Sequence, residues 1–193
     1  MKKTLMAAVA VIGLFASAAQ AADVVPYASV KVGQSWDKLK DKEEDHSNSF
    51  KHVGTNLAVG AKIGAARAEL EYGITKMGKK DDGKFGRQAF MLNGYYDFEN
   101  SSILTPYVGA GVGFTDLKMK YSDDEDGLYS KSKRVFAYGL QAGVGIEVSK
   151  NVAVDIGYRY LKPSISKWKE ADGDSWKNKA ASNEAMVGVR FAF

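Results

Sequence analysis

Two histidines, no cysteine and a set of charged residues on alternate positions make up the chemistry available to this 193-residue chain. Without Cys there is no disulfide framework, no thiolate zinc site and no thiol nucleophile. His46 and His52 lie in one polar stretch and supply neither a three-ligand metal set nor a Ser-His-Asp arrangement. The densest acidic cluster, Asp123-Asp124-Glu125-Asp126, lacks the ligand spacing of a calcium loop. No catalytic, metal-binding or cofactor-binding residues are therefore predicted. What remains is ion pairing. Lys31, Lys62, Arg67, Arg87, Arg159 and Arg190 face Glu69, Glu71, Asp97, Glu147, Asp155 and Glu184 in number, six of each sign. Four of the six cations are Arg, which suits bidentate pairing with carboxylates in a confined space.

These charges sit on every second position of stretches whose other positions are apolar. Alternation runs over 28–33, 53–63, 67–74, 87–98, 106–114, 136–147, 152–160 and 184–193. It has the two-residue period of strands, and helical spacing fits none of the eight as well. Twenty glycines, three prolines and nineteen Tyr and Phe agree with strands joined by tight turns. The connections alternate between short (64–65, 99–102, 149–151) and long (36–52, 77–86, 118–134, 162–179). Three long ones contain Asp-Gly, at Asp82-Gly83, Asp126-Gly127 and Asp172-Gly173, a pair that favours hairpin tips. These segments can be strand pairs that continue outward and turn there.

Residues 1–21 read as a cleaved secretory signal: Lys2 and Lys3, an apolar run from Leu5, then Ala19-Gln20-Ala21 before the cut. The run is too short to span a bilayer, and nothing in 22–193 is apolar and long enough for a membrane helix. An exported chain has no expected nucleic-acid partner. Residues 22–193 are expected to form one domain: an all-β, eight-stranded antiparallel up-and-down transmembrane β-barrel with its apolar face to lipid and its charges inside. A cation facing mid-bilayer lipid costs roughly 2–4 kcal/mol, and the apolar face carries none. A soluble barrel with an apolar lumen would instead turn the charged face outward. Aromatics near the two ends, Tyr27, Phe98 and Tyr107 at the short turns and Trp36 and Trp168 at the long loops, are candidates for the interfacial belts. Tyr107 is also, by alternation, one of the large inward groups expected to fill the lumen opposite inward glycines.

Three stretches carry a resemblance. The end, Ala185-Met-Val-Gly-Val-Arg-Phe-Ala-Phe193, resembles the C-terminal assembly signal of bacterial outer-membrane barrels, with Val187, Val189, Phe191 and Phe193 on one face. Thr105-Pro-Tyr-Val-Gly-Ala-Gly-Val-Gly-Phe114 and Asp155-Ile-Gly-Tyr-Arg-Tyr-Leu161 resemble the small outer-membrane β-barrel domain family, which includes opacity-type porins and adhesins. The resemblance covers essentially all of 22–193. It implies a Gram-negative outer-membrane location, both termini periplasmic, and insertion by the barrel assembly machinery. It also implies no peptidoglycan-tethering domain after Phe193. The charged long loops point to a surface-interaction, adhesin-like role, with a small narrow porin as the alternative and no enzymatic activity expected. Outer-membrane lipid, lipopolysaccharide phosphates and a host or surface ligand are the expected partners.

Overall fold

A computed structural model describes residues 24–40, 47–76, 83–123, 127–164, 167–169, 175–177 and 179–193. The signal segment and the acidic tip residues 124–126 lie outside the described residues. Eight long strands are β1 (Val24–Lys40), β2 (Ser47–Ile63), β3 (Ala66–Lys76), β4 (Gly83–Asp97), β5 (Leu104–Asp123), β6 (Gly127–Ser149), β7 (Val152–Pro163) and β10 (Lys179–Ala192). Each is antiparallel to its sequence neighbour, and β10 closes on β1. The result is a closed barrel in the order β1-β10-β7-β6-β5-β4-β3-β2, with no free edge.

Short turns gather at one end. Between β2 and β3, Gly64 takes φ of 54°, a left-handed value that glycine adopts without steric cost. Between β4 and β5, Ser102 N donates to Asn100 Oδ1 (2.8 Å) and Asn100 Nδ2 donates to the Leu104 carbonyl (2.9 Å), so the side chain shapes the turn. The turn after β6 follows a register shift between Glu147 and Ser149. Asn151 Nδ2 then donates to the Ala192 carbonyl (3.0 Å) and ties this turn to the last strand.

At the other end the strands outrun the alternation seen in the sequence. The β5–β6 ladder continues to Asp123↔Gly127, so most of segment 118–134 is a hairpin. The β1–β2 ladder likewise reaches Lys40↔Ser47. Segment 162–179 holds a separate two-stranded ribbon, β8 (Lys167–Lys169) with β9 (Ser175–Lys177), in which Trp168 pairs with Trp176 across the ladder.

Alternation decides which side chains are packed. Leu57, Leu70, Leu92, Val112, Phe114, Leu140, Ile156 and Val187 are all exposed on the outside of the barrel. Buried side chains lie within it, and most are polar. Among the buried apolar side chains, Ala89, Met91, Ala137 and Leu161 form a cluster. The barrel is thus turned inside out relative to a water-soluble fold, with its hydrophobic surface on the outside.

Candidate functional site

An eight-stranded barrel leaves an interior about wide enough for side chains to fill. Here it is filled by ion pairs that cross it. Arg159 on β7 donates through Nη1 to Glu71 on β3, four strands away around the ring. Its Nε donates to Glu184 Oε2 on β10 (2.8 Å), and Arg87 on β4 donates to the other oxygen of Glu184. Since β4 and β10 are also four strands apart, two contacts span the full width, joined through Glu184 into one network.

The next level toward the short turns centres on Glu69. Its carboxylate accepts from Lys31 Nζ (2.7 Å), Tyr95 OH (2.6 Å) and Tyr27 OH (3.1 Å). Asn93 and Gln141 extend this level, with Gln141 Nε2 donating to Asn93 Oδ1 (3.0 Å). Below it, Arg67 Nε donates to both oxygens of Asp97 at 2.9 Å. The Arg67 guanidinium lies 4.6 Å from the Tyr95 ring centroid and 5.0 Å from that of Tyr107, in cation–π range. Arg190 Nη2 donates to Asp155 Oδ1 (3.2 Å). Such charges are stable away from bulk water only because every one meets an opposite partner.

Glycine makes room for these groups. A Cβ on Gly143 or on Gly157 would come within 2.5 Å of the Tyr107 hydroxyl. At the short-turn mouth the filling stops, and a cavity of about 350 Å³ opens between Tyr27, Lys62, Glu99, Glu147, Lys150 and Arg190.

The family model for the outer membrane protein beta-barrel domain matches residues 6–192. The chain belongs to this family. Among its relatives, outer membrane protein PagN of Salmonella typhimurium is 40% identical over 119 residues, 54% of this chain and 48% of that one. A putative adhesin of Rickettsia conorii, RC1281, is 32% identical over 114 residues, 52% of this chain and 46% of that one. The chain spans about half the length of these curated relatives. Among solved structures, Neisserial surface protein A superposes with a TM-score of 0.64 at 24% identity, over 86% of this chain and 97% of that one. The outer-membrane barrel expected from the three resembling stretches is therefore the fold and the family found, and the outside of the barrel is its lipid-facing surface.

In this outer-membrane barrel the twelve charges read from the sequence do not all share one setting. Lys31, Arg67, Glu69, Glu71, Arg87, Asp97, Asp155, Arg159 and Glu184 are buried in the lumen. Lys62 is half-buried at the short-turn mouth, where Nζ meets Glu99 (2.9 Å) as well as Asp97 (3.7 Å). Arg190 is also half-buried there. Glu147 pairs with Ala153 at the end of the β6–β7 ladder, just before the register shift, is exposed at that rim and is not an interior charge.

Two aromatics assigned to the belts are not there. Tyr27 and Tyr107 are 3% and 8% exposed and lie in the lumen. Nearness to a strand end suggested the interface, but their alternation with Ser29 and Gly109 turns both rings inward. Phe98 is exposed and packs edge-on against Tyr96 at 5.2 Å. Trp36 is half-buried on β1, and Trp168 lies on β8. Val187, Phe191 and Phe193 are exposed and Val189 half-buried on the lipid side. Phe193 N donates to the Pro26 carbonyl (2.9 Å). Tyr95 was missed: a tyrosine among inward alternate positions of β4, between Asn93 and Asp97, carried the signal.

Proposed function

We propose that this outer-membrane barrel is a closed scaffold that works through its long hairpins as a surface-interaction, adhesin-like protein rather than as an enzyme. The observation that carries the reading is the pair of contacts across the lumen, Arg159 to Glu71 and Arg87 to Glu184. These contacts fill the lumen at their level and argue against a wide water path along the axis, which leaves the hairpins as the surface that acts on the outside. The similarity to a putative adhesin supports the same reading. In this account residues 1–21 are removed after Ala21, both termini face the periplasm, and Val187, Val189, Phe191 and Phe193 are read by the barrel assembly machinery. The charged hairpins then meet lipopolysaccharide and a host or surface ligand.

The open mouth at Lys62, Glu99 and Arg190 favours a second reading, a narrow pore wetted from the periplasmic side. Planar-bilayer recordings on refolded protein separate the two. The closed scaffold gives no steady conductance. Cells displaying it should bind host-cell surfaces more than cells whose β5–β6 hairpin is trimmed to a short turn. Steady ohmic steps from the unaltered protein, with equal binding by both strains, would replace the adhesin-like reading with the pore.

A further inference from the structure

Below the ion pairs that fill the lumen, the cavity of about 350 Å³ at the short-turn mouth has the volume at which small-molecule sites begin. On β7 the inward position at this level is Ala153, so no side chain crosses to close the space as Arg159 does higher up. Tyr27 and Ala153 are its buried lining residues, and Val25, Val152 and Ala192 add an apolar wall. The Arg190 guanidinium lies 5.7 Å from the Tyr27 ring centroid, which holds that side of the cavity in place.

The charges around this cavity do not all find partners within the chain. Lys62, Lys150 and Arg190 line it against Glu99 and Glu147. Lys62 Nζ is held by Glu99 (2.9 Å), and Arg190 by Asp155 (3.2 Å). Lys150 and Glu147 remain. Among the described residues neither charged group has an ion-pair or hydrogen-bond partner, and the two do not pair with each other. A single exposed charge is ordinarily left to water. Here a cation and an anion flank one cavity on a backbone that is tied down. Glu147 N donates to the Ile103 carbonyl (2.9 Å). Beside Lys150, the Asn151 carbonyl accepts from Ala192 N (2.9 Å) and Asn151 Nδ2 donates to the Ala192 carbonyl (3.0 Å).

We infer that the short-turn mouth binds a zwitterionic amino-acid group, with its ammonium on Glu147, its carboxylate on Lys150 and a short apolar body against Val25 and Val152. A lone anion would leave Glu147 without a partner, and a lone cation would leave Lys150 without one. Free dipeptides and the amine- and carboxylate-bearing stem peptides of a cell wall share this chemistry. The site goes beyond the surface role of the hairpins and does not depend on it. Only the cell-wall source rests on the reading above that the short turns and termini face the periplasm.

The test is an NMR titration of the full mature chain, refolded in detergent micelles, with alanyl-alanine. Saturable shifts should appear at the Val25, Val152 and Ala192 amides. The N-acetylated dipeptide and the dipeptide amide should each bind about fivefold weaker or more, since each lacks one charge-assisted contact. Glu147→Gln should remove the preference for the free over the acetylated peptide and keep the preference for the free over the amidated one. Lys150→Gln should do the reverse. Both residues are exposed at the rim, so urea unfolding should be unchanged in either variant. Absence of saturable shifts, equal binding of free and capped peptides, preferences that survive both substitutions, or acetate alone binding as well as the dipeptide would each overturn the site. Isolated cell-wall sacculi separate the two sources. Retention of the barrel on intact sacculi, lost when an amidase removes the stem peptides or when dipeptide competes, assigns the wall. No retention, with dipeptide binding intact, assigns free peptide. Trimming the β5–β6 hairpin should leave the titration unchanged, so failure of the adhesin-like reading is separable. Trypsin cleavage of intact cells at Lys150 would put this mouth outside and remove the cell-wall source.

Discussion

On β7, Tyr158 and Arg159 are consecutive residues with opposite surroundings. Arg159 is buried between two carboxylates supplied by β3 and β10. Tyr158 is half exposed on the lipid side, and its hydroxyl donates to Asn183 Oδ1 at 2.6 Å on the neighbouring strand. The lumen therefore depends on partners from across the ring, each in one geometry. The lipid side depends mainly on being uncharged. The first kind of surface is intolerant of single changes even when polarity is kept, and the second tolerates exchange among apolar residues of similar size.

The sharpest way to break this comparison is Arg159→Ala. It strands Glu71 and Glu184 in the lumen, and losing one partner of a fully buried pair costs about 3–5 kcal/mol. Lumen water lowers that figure. Urea unfolding in lipid vesicles should show a large fall in stability, and bilayer recordings should show conductance absent from the parent. If both are unchanged, the lumen is not closed by this network.

The converse substitution places the same side chain on the other surface. Leu140 lies on the lipid side of β6, 64% exposed, opposite Ala110 and Tyr160. Leu140→Arg should cost roughly 2–4 kcal/mol near the bilayer midplane. Leu140→Ile should cost little. The same unfolding assay reads both. If Arg is as well tolerated as Ile, this band does not face lipid.

How much of this contrast the sequence shows depends on the distance over which a residue finds its partner. Alternation is local, so the strands, the apolar side and the inward parity of Arg159 or Glu69 are visible in a single stretch. The Asp-Gly pair at 126–127 likewise signals the β5–β6 hairpin, whose ladder runs to Asp123. Partner choice is not local. That Arg159 meets Glu71, and that Glu69 collects Lys31, Tyr27 and Tyr95, follows from how eight strands stagger on closing. Position along the strand points Tyr27 to the interface and gives Tyr107 two assignments, belt and lumen; alternation, which turns both rings inward, is the rule that holds. Glu147 keeps the inward parity of β6 but stands at the open short-turn mouth, at the last position before the register shift, and alternation alone does not show how near a position lies to that mouth.

A third measurement sharpens the account of lumen filling. A Cβ on Gly157 would meet the Tyr107 hydroxyl at 2.5 Å, while its next neighbours, the Ala142 carbonyl and Tyr107 Cζ, stand at 3.4 and 3.5 Å. The conflict is therefore with one oxygen atom. Tyr107 cannot easily yield, since it packs edge-on against Tyr95 at 5.7 Å and beneath Arg67. Gly157→Ala should destabilise by about 1–3 kcal/mol. Adding Tyr107→Phe should restore most of the loss, giving a coupling that two independent sites would not show. Additive losses would mean that the lumen is loose enough to absorb a methyl group.

The smallest expected effect tests whether the lipid side is really indifferent to detail. Tyr158 and Asn183 form a polar pair on an otherwise uncharged surface, and Tyr158 packs beside Ile156 and Tyr160 on the same side of β7. Tyr158→Phe keeps the ring and removes the donor. Hydrogen bonds of this kind contribute on the order of 1 kcal/mol, with the larger share coming from the partner left unsatisfied. Asn183 sits toward the long-hairpin end, opposite Trp36 and Tyr160. There its amide can recover water from the headgroup region, so the loss should fall below about 1 kcal/mol. Urea unfolding in vesicles, with Asn183→Ala in the parent and in Tyr158→Phe, closes the cycle. A coupling as large as the Arg159→Ala loss would show that this surface, too, is held by specific pairs, and the contrast between the two faces of β7 would fail.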